Sequence, residues 1–266
     1  MGGRSWRQRV WLLLQLTKRE IAERYQGTAL GALWPLLFAV ASLALYTFVF
    51  SVVLKVRWSL PGDAAARPFE FALILYTGLV PYLVCAEMIN RAPALVLAVP
   101  NYVKKVPFPL DILPMVTLGS SLFHSAINVF LLVALTGLAW GTISWSLLLL
   151  PLVYLPLVLL CLAIGWTLSA VGVFFRDVGQ IAPLAAQLLL FGTPIFYPPE
   201  MVPAPFDTVL ALNPLTPVVN AFRAVILFGT APDWTAWILG CVVFGGICVL
   251  AHGLFRRLRP SFADLM

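Results

Sequence analysis

Hydrophobic and polar positions follow two different rules along the first 54 residues. Between 9 and 26, Val10, Leu14, Thr17, Ile21 and Tyr25 recur at three- and four-residue steps. That spacing puts them on one face of a helix. Arg9, Lys18, Arg19, Glu20, Glu23 and Arg24 fall largely elsewhere, and Glu20 precedes Arg24 by four residues, the favourable order for an intrahelical pair. The pattern predicts an amphipathic helix over about 9–26 that lies in the headgroup layer with its basic residues on the wet side. A plain basic flank that orients the following span is the alternative, but such a flank needs no amphipathic period. From residue 30 the apolar run is continuous, and Gly27 and Gly31 allow a turn between the two regimes.

Further along, apolar runs of membrane-spanning length predict six spans, at about 30–54, 69–90, 112–138, 146–175, 181–197 and 234–255. The segment 198–229 is also apolar, yet Pro198, Pro199, Pro203, Pro205, Pro214 and Pro217 forbid one continuous helix through it. It is expected to form a re-entrant helical hairpin, a geometry tolerated where protein or a water-filled cavity covers the irregular backbone. The fold class is therefore all-α and integral to the membrane: an interface helix, six spans and a hairpin before the last span, in one domain over 1–266.

Composition agrees. Hydrophobic residues make up 61% and charged residues 11% of the 266, against about 25% charged in soluble domains. The net charge of +6 matters less than where it sits. With the N-terminus inside, 13 of the 17 Lys and Arg residues fall in inside segments, leaving Lys55, Arg57, Arg67 and Arg223 outside. Both termini are thus expected in the cytoplasm. Arg4, Arg7 and Arg9 before the apolar stretch 10–16 imitate a signal peptide, but the stretch is short and no small-residue cleavage site follows, so the N-terminus is expected to be retained. Cys85, Cys161, Cys241 and Cys248 all lie in apolar runs and read as buried thiols. No metal-ligand spacing and no nucleic-acid patch is present.

The search for catalytic chemistry is mostly negative. His124 and His252 are the only histidines, and neither GxSxG nor HExxH occurs. The phosphate-binding pattern GxxxxGK[ST] is missing too, so the chain does not hold ATP in that way. Thr117, Ser121, His124 and Asn128 form a polar stripe on the third span, either hydrogen-bonding to neighbouring helices or facing a pore. Glu87 and Arg91, four apart, read as a structural pair near the interface, and Arg176 with Asp177 as a local one. Phe191, Phe196, Tyr197, Phe206 and Phe222 surround the hairpin; they offer ring faces for sugar stacking, or form an interfacial belt or ordinary packing. The connector 101–111 joins Tyr102, Lys104 and Lys105 to Pro107-Phe108-Pro109, more aromatic and rigid than a plain loop, and is the best candidate for contact with a soluble partner.

Five stretches carry a resemblance. They are KREIAERYQGTALGALWP at 18–35, NYVKKVPFPLDILP at 101–114, FFRDV at 174–178, TPIFY at 193–197 with NPL at 213–215, and FRRLRPSFADL at 255–265. In this order they resemble the membrane subunit of bacterial ATP-binding-cassette exporters for polysaccharides, the family of O-antigen, capsule and teichoic-acid permeases. The resemblance implies a single transmembrane permease domain in the bacterial inner membrane. It would work as a homodimer with two soluble ATPase subunits, passing a lipid-linked glycan between the two membrane subunits. ATP and Mg would be bound by the partner, with no cofactor, metal or catalytic residue in this chain. Arg19, Glu20, Arg24, Tyr25, Tyr102, Lys104, Lys105 and Phe108 would couple to the ATPase. Trp34, Phe38, Ser121, His124, Asn128, Phe191, Phe196, Tyr197 and Phe222 would line the channel or its external gate. A drug or lipid permease of the same layout is the nearest alternative. An intramembrane enzyme acting on a lipid carrier is a third, with Asp63 and Glu70, or Glu200 and Asp207, as its thin carboxylate candidates.

Overall fold

The computed structural model describes residues 6–26, 31, 34–53, 68–104, 108–141, 144–198 and 201–265. Lys105, Asp63, Glu200 and most of the expected outside loop after the first span lie outside them. Every regular element among the described residues is helical. In chain order they are α1 (Trp6–Tyr25), α2 (Trp34–Tyr46) with a π-helical continuation (Thr47–Val53), α3 (Pro68–Arg91), α4 (Pro100–Lys104), α5 (Leu113–Trp140), α6 (Leu150–Phe174), α7 (Val178–Gly192), α8 (Phe206–Leu212), α9 (Leu215–Ile226), α10 (Trp234–Leu258) and α11 (Phe262–Leu265).

The centre of the bundle is α3. Its sequence is apolar on every side, which suits a helix with no solvent face, and Phe71, Leu73, Ile74, Leu75, Tyr76, Val80, Cys85 and Met88 are all at most 2% exposed. Helices α5, α6, α7 and α9 surround it. Pro81 removes the helical bond to the Thr77 carbonyl, and Thr77 itself donates back to Leu73 O at 2.7 Å. Outside this ring, α10 lies along α6 and α1 rests on α5. Gly172 of α6 lets the turn at Ala92–Ala94 come close, since a Cβ there would press on the Pro93 carbonyl and stand 2.8 Å from Pro93 Cα.

Among the described residues, four stretches are long and apolar enough to cross a membrane: Phe69–Ala94, Leu110–Trp140, Trp145–Phe174 and Trp234–Leu265. Shorter apolar helices cover Leu36–Val49, Val178–Gly192 and Leu215–Ile226. Three residues before α2 begins at Trp34, Gly31 takes a left-handed φ of 49°, the conformation glycine adopts without steric cost. The fifth expected span, 181–197, is shorter as a helix than its apolar run. Thr193 turns extended (φ −104°, ψ 138°) because it precedes Pro194, and α7 stops at Gly192. Its carbonyl is taken up by Asn213 Nδ2 at 2.7 Å. The proline-rich segment after it holds two short helices, α8 and α9, parted at Asn213-Pro214. One face of α9 is buried through Leu215, Val218, Val219, Phe222, Val225 and Ile226. Arg223, expected in an outside segment, is only 4% exposed and donates to Ile195 O at 3.2 Å.

A smaller apolar cluster lies apart from the α3 core. Val96, Phe108, Leu110, Trp166, Ala170, Val173, Cys248, Phe255 and Phe262 build it, with Leu12 and Leu16 of α1 packed on its edge.

Candidate functional site

The end of α1 together with α2, α3 and α5 lines a cavity of about 750 Å³, within the range of about 300–1,000 Å³ common for ligand sites. Its walls are aromatic: Tyr25, Trp34, Phe38, Tyr46, Tyr76 and Tyr82. Apolar helices place the three tyrosines of α2 and α3. Tyr76 Oη donates to Asn128 Oδ1 at 3.1 Å, and Tyr82 Oη to Ala186 O at 3.2 Å. Ring faces with polar tips suit an amphipathic ligand, and neither a bound metal nor a reacting pair is needed to explain the lining. Among the described residues no group of His, Cys, Asp and Glu has metal-binding geometry.

One end of the cavity is charged. Glu87 Oε1 accepts from Arg24 Nη1 at 2.7 Å and from Arg91 Nη1 at 3.1 Å. Arg91 Nη1 also lies 2.6 Å from Glu20 Oε1, and Arg24 Nη1 lies 3.2 Å from His124 Nδ1. With the guanidinium as donor, that ring nitrogen accepts and the imidazole proton belongs on Nε2. Two carboxylates and two guanidiniums therefore alternate as Glu20–Arg91–Glu87–Arg24, neutral in sum, and tie α1 to α3 and α5. Burial drives the Glu20 carboxyl above its ordinary pKa even though Arg91 beside it pulls the other way. Burial likewise raises the Tyr25 phenol.

This arrangement corrects the local pairing read from the sequence. Glu20 and Arg24 do not pair with each other; each reaches across to α3, Glu20 to Arg91 and Arg24, itself half exposed, to Glu87. The intrahelical pair of α1 is Arg19 with Glu23, at 2.6 Å on its exposed side. The reason is electrostatic. Charges facing a less polar interior gain more from a partner across the interface than an exposed pair gains along the helix. Glu87 and Arg91 do pair, as two members of a chain of four. Signal for the cross-helix contacts was absent because they join residues 63 to 100 positions apart.

The candidate channel residues divide. Trp34, Phe38, His124 and Asn128 reach the cavity, while Ser121 and Thr117 are buried beside it. Phe196 and Phe222 do not line it. Phe222 is fully buried, edge-on to Tyr154 at 4.9 Å, and Phe196 packs between Tyr46 and Phe191. Phe191 is exposed and its carbonyl accepts from Tyr197 Oη at 2.7 Å. Tyr46, Tyr76 and Tyr82 were not singled out in the sequence, although a tyrosine within an apolar span always needs a partner for its hydroxyl.

On the connector, the rings of Tyr102 and Phe108 stack at 4.7 Å with 17° between planes. Tyr102 is 37% exposed and Phe108 only 7%. The two aromatics expected to face a partner together thus have different places: Tyr102 is presented and Phe108 is the seat beneath it.

Among the described residues, four membrane-length apolar helices, shorter apolar ones and a polar-tipped cavity point to a multi-pass membrane protein. Comparison with known sequences gives the family: the ABC-2 type transporter profile matches residues 12–227, and the chain belongs to that family. It is 27% identical over 256 residues to the O-antigen export system permease protein RfbA of Myxococcus xanthus, covering 95% of this chain and 94% of that one. A Klebsiella pneumoniae protein of the same name is 26% identical over 263 residues, covering 96% and 95%. The daunorubicin resistance ABC transporter permease protein DrrB1 of Streptomyces coeruleorubidus is 28% identical over 104 residues, covering 38% and 36%. As an ABC-2 permease the chain is a transport subunit associated with an ABC ATPase.

Proposed function

We propose that this chain is the inner-membrane permease that carries a lipid-linked polysaccharide of the O-antigen type outward. It works as a homodimer with two ATPase subunits that bind ATP and Mg. The observation that carries the reading is the reach of the similarity: O-antigen permeases match along about 95% of both chains, the daunorubicin permease along 38%. The cavity supports it, because rings with polar tips can accompany a sugar chain through stacking and hydrogen bonds without binding it tightly. Six spans with both termini cytoplasmic, and a hairpin from α8 and α9 as the external gate, complete the layout. Helix α1 and the connector at Tyr102 and Lys104 meet the ATPase.

The test is a purified complex of this chain with its ATPase subunit in lipid nanodiscs. The expected result is no hydrolysis by this chain alone, hydrolysis by the complex, and a rate that responds to lipid-linked glycan but not to an anthracycline. The partial match to a drug permease supplies the second reading; a response to the anthracycline and not to the glycan would establish it.

A further inference from the structure

We infer that the segment after α10 is a brace for the connector, and that Arg259 and Phe262 are positioning residues for coupling. This rests on the reading above that the connector meets the ATPase.

Phe262 is completely buried although it lies only four residues beyond α10. Its ring meets Phe255 edge-on at 5.4 Å and Phe174 at 6.2 Å. The helical run continues through a 3-10 turn at Arg259–Ser261 into α11, which lies against α4 and α6. At that turn Arg259 Nη2 donates to the Phe108 carbonyl at 2.9 Å. Phe108 and Phe262 belong to one apolar cluster, and Phe108 carries the stacked, exposed Tyr102. Contacts therefore run unbroken from Phe262 and Arg259, through Phe108, to the surface ring.

The other end of the connector is fixed separately. Trp166 Nε1 donates to Asp111 O at 3.0 Å, and Arg9 lies 3.7 Å from the Asp111 carboxylate. The described parts of the connector are short: α4 is five residues long, and Pro109 precedes a three-residue 3-10 turn at Leu110–Ile112. A short proline-bearing segment holds one shape only if its surroundings impose it, and a force from a partner reaches the spans only through a segment that does not give. Orientation by positive charge explains a cluster of basic residues here, and exposed Arg256 and Arg257 need no more than that. It explains neither the hydrogen bond of Arg259 nor the burial of Phe262.

The experiment compares Arg259→Ala, Phe262→Ala and Phe262→Leu with Arg257→Ala, which removes the same charge as Arg259→Ala without that bond. Amide hydrogen exchange over 100–111 is measured in the nanodisc-embedded permease, and surface glycan per permease in cells that co-express the ATPase. Arg259→Ala and Phe262→Ala are expected to speed exchange in 100–111 at least tenfold, leave exchange in α3 unchanged and lower export severalfold while the ATPase stays bound. Phe262→Leu, which keeps apolar volume, recovers most of both, and Arg257→Ala behaves as wild type. Unchanged exchange in 100–111 overturns the brace. Faster exchange with undiminished export overturns its role in coupling. Wild-type protein that exports no glycan counts against the proposed function instead, and the exchange data still decide the brace.

Discussion

Glu87 is the residue on which the charged end of the cavity turns. It sits in the most buried helix of the bundle with its side chain 15% exposed, and it alone touches both guanidiniums. Removing it leaves Arg24 facing Arg91 across a space of low polarity. Glu87→Ala is expected to destabilise the permease by about 1.5–3 kcal/mol, the range for a hydrogen bond to a charged group. The lower end is favoured because Arg24 is half exposed and water screens it. Arg19→Ala, which breaks only the exposed Arg19–Glu23 pair, should change stability by no more than about 1 kcal/mol. Thermal unfolding in detergent separates the two; equal shifts would mean the four-residue chain is ordinary surface electrostatics. Glycines offer a sharper contrast. A methyl group at Gly172 meets backbone that cannot swing aside, whereas at Gly246 nothing lies within 4 Å. Gly172→Ala should cost at least about 1–3 kcal/mol through overpacking, and Gly246→Ala should be neutral or slightly stabilising in the same measurement.

At the scale of elements, long apolar runs were legible and paired faces were not. The spans near 69–90, 112–138, 146–175 and 234–255 are helices in the structure because length and composition alone demand it. Span five was drawn too long because its apolar run continues through 193–197, whereas Pro194 ends the helix. The pattern of α1 predicts a helix and a helix is found, but which neighbour each face meets is set by packing. Thr17 packs on Gly119, 3.0 Å from where a Cβ would be, and Glu20 and Arg24 follow on that side, leaving Trp6, Trp11 and Leu14 exposed. Periodicity defines faces without saying which neighbour each one meets. The connector shows the same limit, since Tyr102 and Phe108 look alike in sequence and only packing separates them. Their variants should differ accordingly. Phe108→Ala is expected to destabilise the permease by about 3–5 kcal/mol, as for a buried aromatic. Tyr102→Ala should leave the melting temperature within a few degrees and reduce retention of the ATPase on affinity resin. Loss of stability in both, with no selective loss of partner, would remove Tyr102 from the docking surface.

For the whole molecule, the sequence made the class plain and hid the cavity. A chain with 61% hydrophobic residues is legible as a membrane protein. The cavity joins residues from 24 to 128 on four elements, and no local pattern announces such an assembly. The charge bias predicts cytoplasmic termini, and the prediction can be tested directly. In a chain without its native cysteines, single cysteines placed at residues 4 and 264, the second an exposed position, should react with a membrane-impermeant maleimide only after the inner membrane is opened; labelling of either in intact spheroplasts would refute the cytoplasmic placement of the termini.

Export itself is the most direct test. The chain and its ATPase subunit would be expressed in a strain whose own O-antigen permease has been deleted but which still makes the lipid-linked glycan, and glycan at the cell surface would be quantified. The account predicts surface glycan with the intact pair, and none when the phosphate-loop lysine of the ATPase is replaced. Glycan that stays inside despite normal levels of an assembled, ATP-hydrolysing complex would contradict it.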